Sequence, residues 1–291
     1  MIHLHQKNRL TILAILVLLT AQLFFTSCNK DDPSAPQEDP PPIPPVSTFM
    51  IDLSDFDTSK APLMPEGSGK TAAVLTKQNW GWAAINVGFW NLAVVLTMVV
   101  PAAAFVESFN HEPVQQPDGS WLWPYNFIAM GVVHTAKLSA RAVDGDIHWK
   151  MLISKQGAYT DFEWYTGVSN LVATEGTWRL NMDPNTSPPT PFLDIEWHRN
   201  PQAGSADIKY TNIIPGNIGN GDYIFYGVNT QTPYNAFYNI FSFSQNNLIE
   251  IEWDRAVDQK DGRIKDPNHF GDDQWHCWDI IANGLEDITC P

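Results

Sequence analysis

Three cysteines in 291 residues are too few for a disulfide-stapled scaffold or a cysteine-built metal centre. Basic residues are also scarce, with 17 Lys and Arg against 32 Asp and Glu and a formal net charge of −15. The chain has no basic stripe and no interleaving of basic with aromatic residues, which argues against nucleic acid as a partner. Reaction-specifying motifs are missing too: there is no G-x-S-x-G nucleophile turn, HExxH helix, paired CxxC or EF-hand loop. Glu66-Gly67-Ser68-Gly69-Lys70-Thr71 ends like a phosphate loop, but Met64 holds the place of the first glycine and no strand precedes it. It reads as a turn. No cofactor and no metal is expected.

Residues 1–27 have the three parts of an export signal: Lys7 and Arg9, an apolar run from Leu10 to Phe25, and small residues before Cys28. The run is about 16 residues, short of the roughly 20 that a spanning helix needs. This segment resembles a bacterial lipoprotein signal, although Phe25 stands where leucine is usual. The resemblance implies cleavage before Cys28 and diacylglyceryl modification of its thiol, carrying palmitate-like chains. Asn29-Lys30-Asp31-Asp32 resembles the Lys-acidic-acidic export signal of surface lipoproteins in the Bacteroidota. Together the two imply an outer-membrane lipoprotein facing the cell surface, whose first partner is the bilayer that holds its acyl anchor.

Residues 28–47 form the tether, and residues 33–45 hold seven prolines and no glycine. Such a segment is stiff and extended, reaching up to about 60 Å at about 3.1 Å per residue. Loss of Lys7 and Arg9 with the signal leaves 15 basic against 32 acidic residues, a mature charge of −17. With Cys28 acylated, Cys277 and Cys290 are left, and in an exported protein they are expected to pair. The crosslink would close a short loop worth about 3 kcal/mol. A metal or catalytic thiol at Trp275-His276-Cys277-Trp278 is the alternative, and it needs a partner base that spacing cannot supply.

Residues 48–291 read as one β-rich domain. Its first long feature is an uncharged run from Gln78 to Val106, which predicts a helix over about 76–100, apolar on every side and hence buried all round. Asn86, Asn91 and Pro101 interrupt the run, and an anchor at Cys28 makes a second membrane element redundant. Strand-like alternation follows at Ile147–Met151, Phe162–Trp164, Trp178–Met182, Leu193–Trp197, Phe237–Phe243 and Ile249–Trp253. Turn residues divide these runs, and Asp144-Gly145 is the sharpest hairpin signal. Leu193–Arg199 and Ile249–Arg255 are near copies at irregular spacing, which suggests recurring hairpins and not a solenoid. The predicted architecture is mostly β: a curved antiparallel meander, barrel or half-barrel, of about ten strands wrapping one long apolar helix. By that architecture it resembles the lipoprotein carriers of the bacterial envelope.

Twelve tryptophans stand out. Trp149, Trp164, Trp197 and Trp253 fall on the apolar side of alternating strands and read as core. The candidate ligand-binding aromatics are Trp80, Trp82 and Trp90 on the helix and Trp121, Trp123 and Tyr125 on a strand. Asp194 and Glu196, with Glu250 and Glu252 on the repeat, would share a sheet face, and paired carboxylates are what glycoside hydrolysis uses. Acids at i and i+2 opposite an apolar face are also an ordinary water-facing strand. His269, Asp272, Asp273 and His276 could approach a metal, but a polar loop explains them. The favoured reading is a non-catalytic binding module for an apolar or aromatic-stacking ligand. A carrier of lipid-like molecules and a glycan-active hydrolase are the alternatives.

Overall fold

The periodicity that begins at Trp121 becomes an antiparallel meander of fourteen strands, each hydrogen-bonded to the next in chain order. They are β1 (Val114–Gln115), β2 (Trp121–Ala129), β3 (Val132–Val143), β4 (Asp146–Lys155), β5 (Tyr159–Asn170), β6 (Glu175–Met182) and β7 (Thr190–Asn200). The rest are β8 (Ser205–Asn212), β9 (Tyr223–Val228), β10 (Ala236–Ser242), β11 (Asn247–Trp253), β12 (Gly262–Lys265), β13 (His276–Ile281) and β14 (Gly284–Ile288). The computed structural model describes residues 39–56, 77–255, 261–281 and 284–291. The signal, Cys28, most of the proline tether and Glu66–Thr71 lie outside those residues.

All six predicted alternating runs are strands. At the Asp144-Gly145 hairpin both residues take positive φ, 52° and 95°, as a two-residue turn between β3 and β4 requires. Two expectations are corrected. Fourteen strands replace about ten, because β1 and β12–β14 are short and lack a legible alternation. The sheet also stays open: β1 pairs with β2 and β14 with β13, with no bond between the two ends among the described residues, so it is not a barrel.

The predicted helix is α1 (Gln78–Ser108), which runs further than expected and is not one straight rod. Its arms, Gln78–Val94 and Leu96–Ser108, meet at 65°. Local chemistry explains the bend. Thr97 Oγ1 donates to the carbonyls of Ala93 (2.8 Å) and Val94 (3.4 Å), and Pro101 removes the amide that would bond Thr97. No single helix among the described residues is long and apolar enough to cross a membrane.

Burial all round is also corrected. Trp80, Ala83, Ala84 and Val87 of the first arm and Met98, Ala102, Ala104 and Phe105 of the second are buried, whereas Phe89, Leu92 and Leu96 between them are exposed. The helix packs on β2 near one end of the meander and on β12–β14 at the other, so the sheet curls about it. Its N-terminus lacks a cap of its own, and Asp287 of β14 accepts from the amides of Gln78 and Asn79, both at 3.0 Å. Asn79 Nδ2 donates to the Cys277 carbonyl. Cys277 is joined to Cys290 by the predicted disulfide.

Residues 46–56 lie as a strap against the inner face of the sheet. Phe49, Ile51, Leu53 and Phe56 enter the core, and buried tyrosines hold the backbone between them. Tyr210 Oη donates to the Phe49 carbonyl (2.6 Å) and accepts from Ile51 N (3.1 Å), while Tyr238 Oη donates to the Asp52 carbonyl. Trp253 Nε1 and Arg255 Nε both donate to Asp55.

Tryptophan–glycine register shapes the rest of the core. Gly167 stands opposite both Trp149 and Trp178, Gly176 opposite Trp197, and Gly262 between Trp253 and Trp278. A Cβ on Gly262 would fall 2.5 Å from the Trp278 ring. Large indoles fit a tightly curved inner face because the strand beside them offers no side chain at that position.

Candidate binding surface

The side chains opposite this core belong to alternate strand positions, and on β9 and β10 they are aromatic. Tyr223 and Phe225 on β9 and Phe237 and Phe241 on β10 are half-buried, facing away from Ile224, Tyr226, Tyr238 and Ile240 in the core. Tyr223 and Phe241 are register partners with rings stacked at 5.4 Å and 23°. Phe225 meets Phe237 on the diagonal, at 5.2 Å in an edge-on geometry. Phe237 lies flat across Gly227, whose Cβ would stand 2.3 Å from Phe237 Cε1. Phe243 just beyond β10 is exposed.

Cations flank this aromatic belt. Lys209 Nζ of β8 sits 4.9 Å from the Tyr223 centroid. Arg263 of β12 lies between two rings, with its Cζ 5.0 Å from Tyr234 and 4.2 Å from Trp275. Its guanidinium also bonds Glu252. Beside this pair a pocket of about 340 Å³ opens, lined by Asn229, Gln231, Tyr234, Phe237, Glu252 and Arg263 among others. Burial pushes the Tyr223 and Tyr234 hydroxyls above their ordinary pKa, and Glu250 and Asp261, respectively, reinforce the shift. Both therefore stay protonated as donors at neutral pH.

A larger open groove of about 700 Å³ crosses the polar face of the first half of the sheet. Its lining includes the small residues Ser139, Thr166 and Thr177 and, from β3 and β4, Arg141, His148 and Lys150, with Arg179, Asp194 and Glu196 from β6 and β7. The predicted shared face of the strand acids is present here and on β11, and each acid meets a cation. Asp194 accepts two hydrogen bonds from Arg179 (2.8 and 2.7 Å), and that carboxylate raises the guanidinium's pKa. Glu196 approaches Lys209 at 3.9 Å, Glu250 pairs with Lys265, and Glu252 with Arg263. General acid–base work needs two carboxyls in unlike environments, one holding a proton. Acids paired along a solvated ladder do not provide that contrast.

The six aromatics singled out in the sequence sit on α1 and β2. Trp80 is buried under Phe56. Trp82 stacks on His269 at 3.8 Å and donates to Asp266, and Trp90 is half-buried near the bend. Trp121 and Trp123 do share a strand face, but it is the inner one, and Trp123 is 2% exposed beside Trp149. Tyr125 is buried with its hydroxyl donating to the Ala104 carbonyl at 2.6 Å, and burial raises its pKa. Trp121, Trp123 and Tyr125 therefore form part of the core and not an exposed platform.

His276 bonds Asp272 at 3.1 Å and stacks on Phe270, whereas His269 is held by Trp82. No cluster of three metal-ligating side chains occurs among the described residues. The clean alternation expected for Phe237–Phe243 is corrected: this run, like Tyr223-Ile224-Phe225-Tyr226, carries large apolar groups on both faces, which hides the aromatic belt from the sequence. Alternation cannot assign a face in such strands. The available signal was that apolar excess itself, beside strands such as Leu193–Trp197 and Ile249–Trp253 that alternate cleanly. Comparison of the chain with family models, curated proteins and solved structures finds no match in any of the three.

Proposed function

We propose that this chain is a lipid-anchored surface lipoprotein of the outer membrane whose folded body is a non-catalytic binding module for a ligand that stacks on aromatic rings. The observation that carries the reading is the outward pair of ring contacts, Tyr223 on Phe241 and Phe225 on Phe237, placed where a monomeric sheet would ordinarily be polar. The neighbouring pocket supports a glycan as the ligand. It combines aromatic rings with planar hydrogen-bonding groups from Asn229, Gln231, Glu252 and Arg263, which suit a sugar's apolar face and hydroxyl rim. The open, curled sheet serves as a half-barrel scaffold that presents this face. Cys28 carries the acyl anchor, and the proline tether gives the body reach.

The test is affinity electrophoresis of the mature chain through gels containing amylopectin, xylan, galactomannan or β-glucan. Retardation by at least one polysaccharide is expected. Migration unchanged in all four would remove the glycan-binding reading.

A further inference from the structure

The bend of α1 is a second apolar surface, and it differs in kind from the aromatic belt. Ile85, Phe89 and Leu92 form a stripe on the first arm at i, i+4 and i+7, and Leu96 continues it past the bend. Phe89 is 71% and Leu96 73% exposed, while both flanking stretches of the helix are buried in the core. The helix is thus pinned at its two ends and projects its apolar middle.

No charged residue occurs between Lys77 and Glu107. A docking surface for a soluble protein ordinarily carries a polar, charged rim, and this segment has none. Its polar side chains are also turned inward on the helix: Asn86 Nδ2 donates to the Trp82 carbonyl at 2.9 Å, and Thr97 Oγ1 to that of Ala93. Asn91 is half-buried. Absence of charge, with Asn86 and Thr97 bonded back onto the helix, favours contact with hydrocarbon. The chain outside the described residues adds an independent reason for a bilayer to be at hand, since it contains the apolar run 10–25 and Cys28.

We infer that the exposed elbow of α1, formed by Ile85, Phe89, Leu92 and Leu96, dips into the outer leaflet of a lipid bilayer as a second, non-covalent contact. This rests on the lipoprotein reading only for the bilayer's proximity. Because the chain is strongly acidic, a zwitterionic lipid is the probe that adds no like-charge repulsion. The contact would lay the body down on the membrane, within the reach of its tether.

The experiment uses the mature chain with Cys28→Ser, so that no acyl chain contributes, floated with phosphatidylcholine vesicles. The Cys28→Ser chain is expected to co-float. The added triple substitution Phe89→Asp, Leu92→Asp, Leu96→Asp should lower the floated fraction at least tenfold at unchanged melting temperature, and Phe241→Ala should leave it unchanged. No co-flotation, or co-flotation indifferent to the triple substitution, overturns the inference. A concentration-dependent dimer abolished by the triple substitution, without vesicle binding, overturns it as well and assigns the elbow to a second copy. Palmitate labelling of the wild-type chain in its host reports separately on the anchor, so the two claims can fail independently.

Discussion

Gly167 of β5 and Trp178 of β6 are register partners, and the indole occupies the space a Cβ on Gly167 would need, 2.2 Å from Trp178 Cε3. Trp149 faces the same glycine from β4 and lies 6.3 Å from Trp178, so one missing side chain admits two rings. Gly167→Ala is therefore expected to behave as overpacking. It should cost about 1–3 kcal/mol, visible as a lower denaturant midpoint with little change in slope. Gly271→Ala is the contrast: nothing lies near the new methyl group there, and its cost would come from positive φ, which Gly167 does not have.

Tyr210 fastens the strap. Removing its hydroxyl leaves the Phe49 carbonyl and the Ile51 amide without their partner in a buried setting. Tyr210→Phe should cost about 1–3 kcal/mol. Amide exchange at Ile51 should accelerate more than exchange in the β3–β4 hairpin, which would show that the strap loosens locally.

Alkali should unfold the protein in a defined window. Every tyrosine among the described residues has its pKa raised, with burial as the first cause, and Tyr226 reaches about 12. A folded-state pKa above the unfolded value of about 10 means that the stabilisation is complete below pH 10. It is lost as pH rises through the folded values. Absorbance at 295 nm should therefore show phenolate appearing together with loss of near-ultraviolet circular dichroism, above pH 10. Tyrosines that ionise near pH 10 in a protein that remains folded would contradict the burial of these hydroxyls.

The Cys277–Cys290 bridge spans 13 residues and closes the β13–β14 hairpin, whose Asp287 caps α1. Cys290→Ser should lower stability by roughly 3 kcal/mol in the loop-entropy picture. Because the helix end depends on the same hairpin, amide protection at Gln78 and Asn79 should fall with it. Equal protection in oxidised and reduced protein would separate the bridge from the cap.

Much of the meander is legible in the sequence. Leu193–Trp197 and Ile249–Trp253 alternate cleanly because one face is core and the other is an ion-paired ladder, and Asp144-Gly145 names its own turn. The ends of the sheet are not legible, since β1, β12 and β14 are too short to show a period. The helix misleads for a physical reason: apolarity on all sides signals burial only when enough sheet exists to cover it, and around Phe89 and Leu96 it does not. Tryptophans attract functional readings, yet Trp121 and Trp123 are paired inward by the pleat. The rings that face outward are phenylalanines and tyrosines in strands apolar on both faces.

The binding surface is tested most directly by removing one of its stacked pairs. In affinity electrophoresis against whichever polysaccharide retards the wild-type chain, Tyr223→Ala with Phe241→Ala should raise the dissociation constant at least tenfold, equivalent to about 1.4 kcal/mol, with the melting temperature held within a few degrees. A Trp82→Ala chain should bind like the wild type. Retardation that survives loss of the pair, or that is lost equally in Trp82→Ala, would contradict a ligand site on the outer face of β9 and β10.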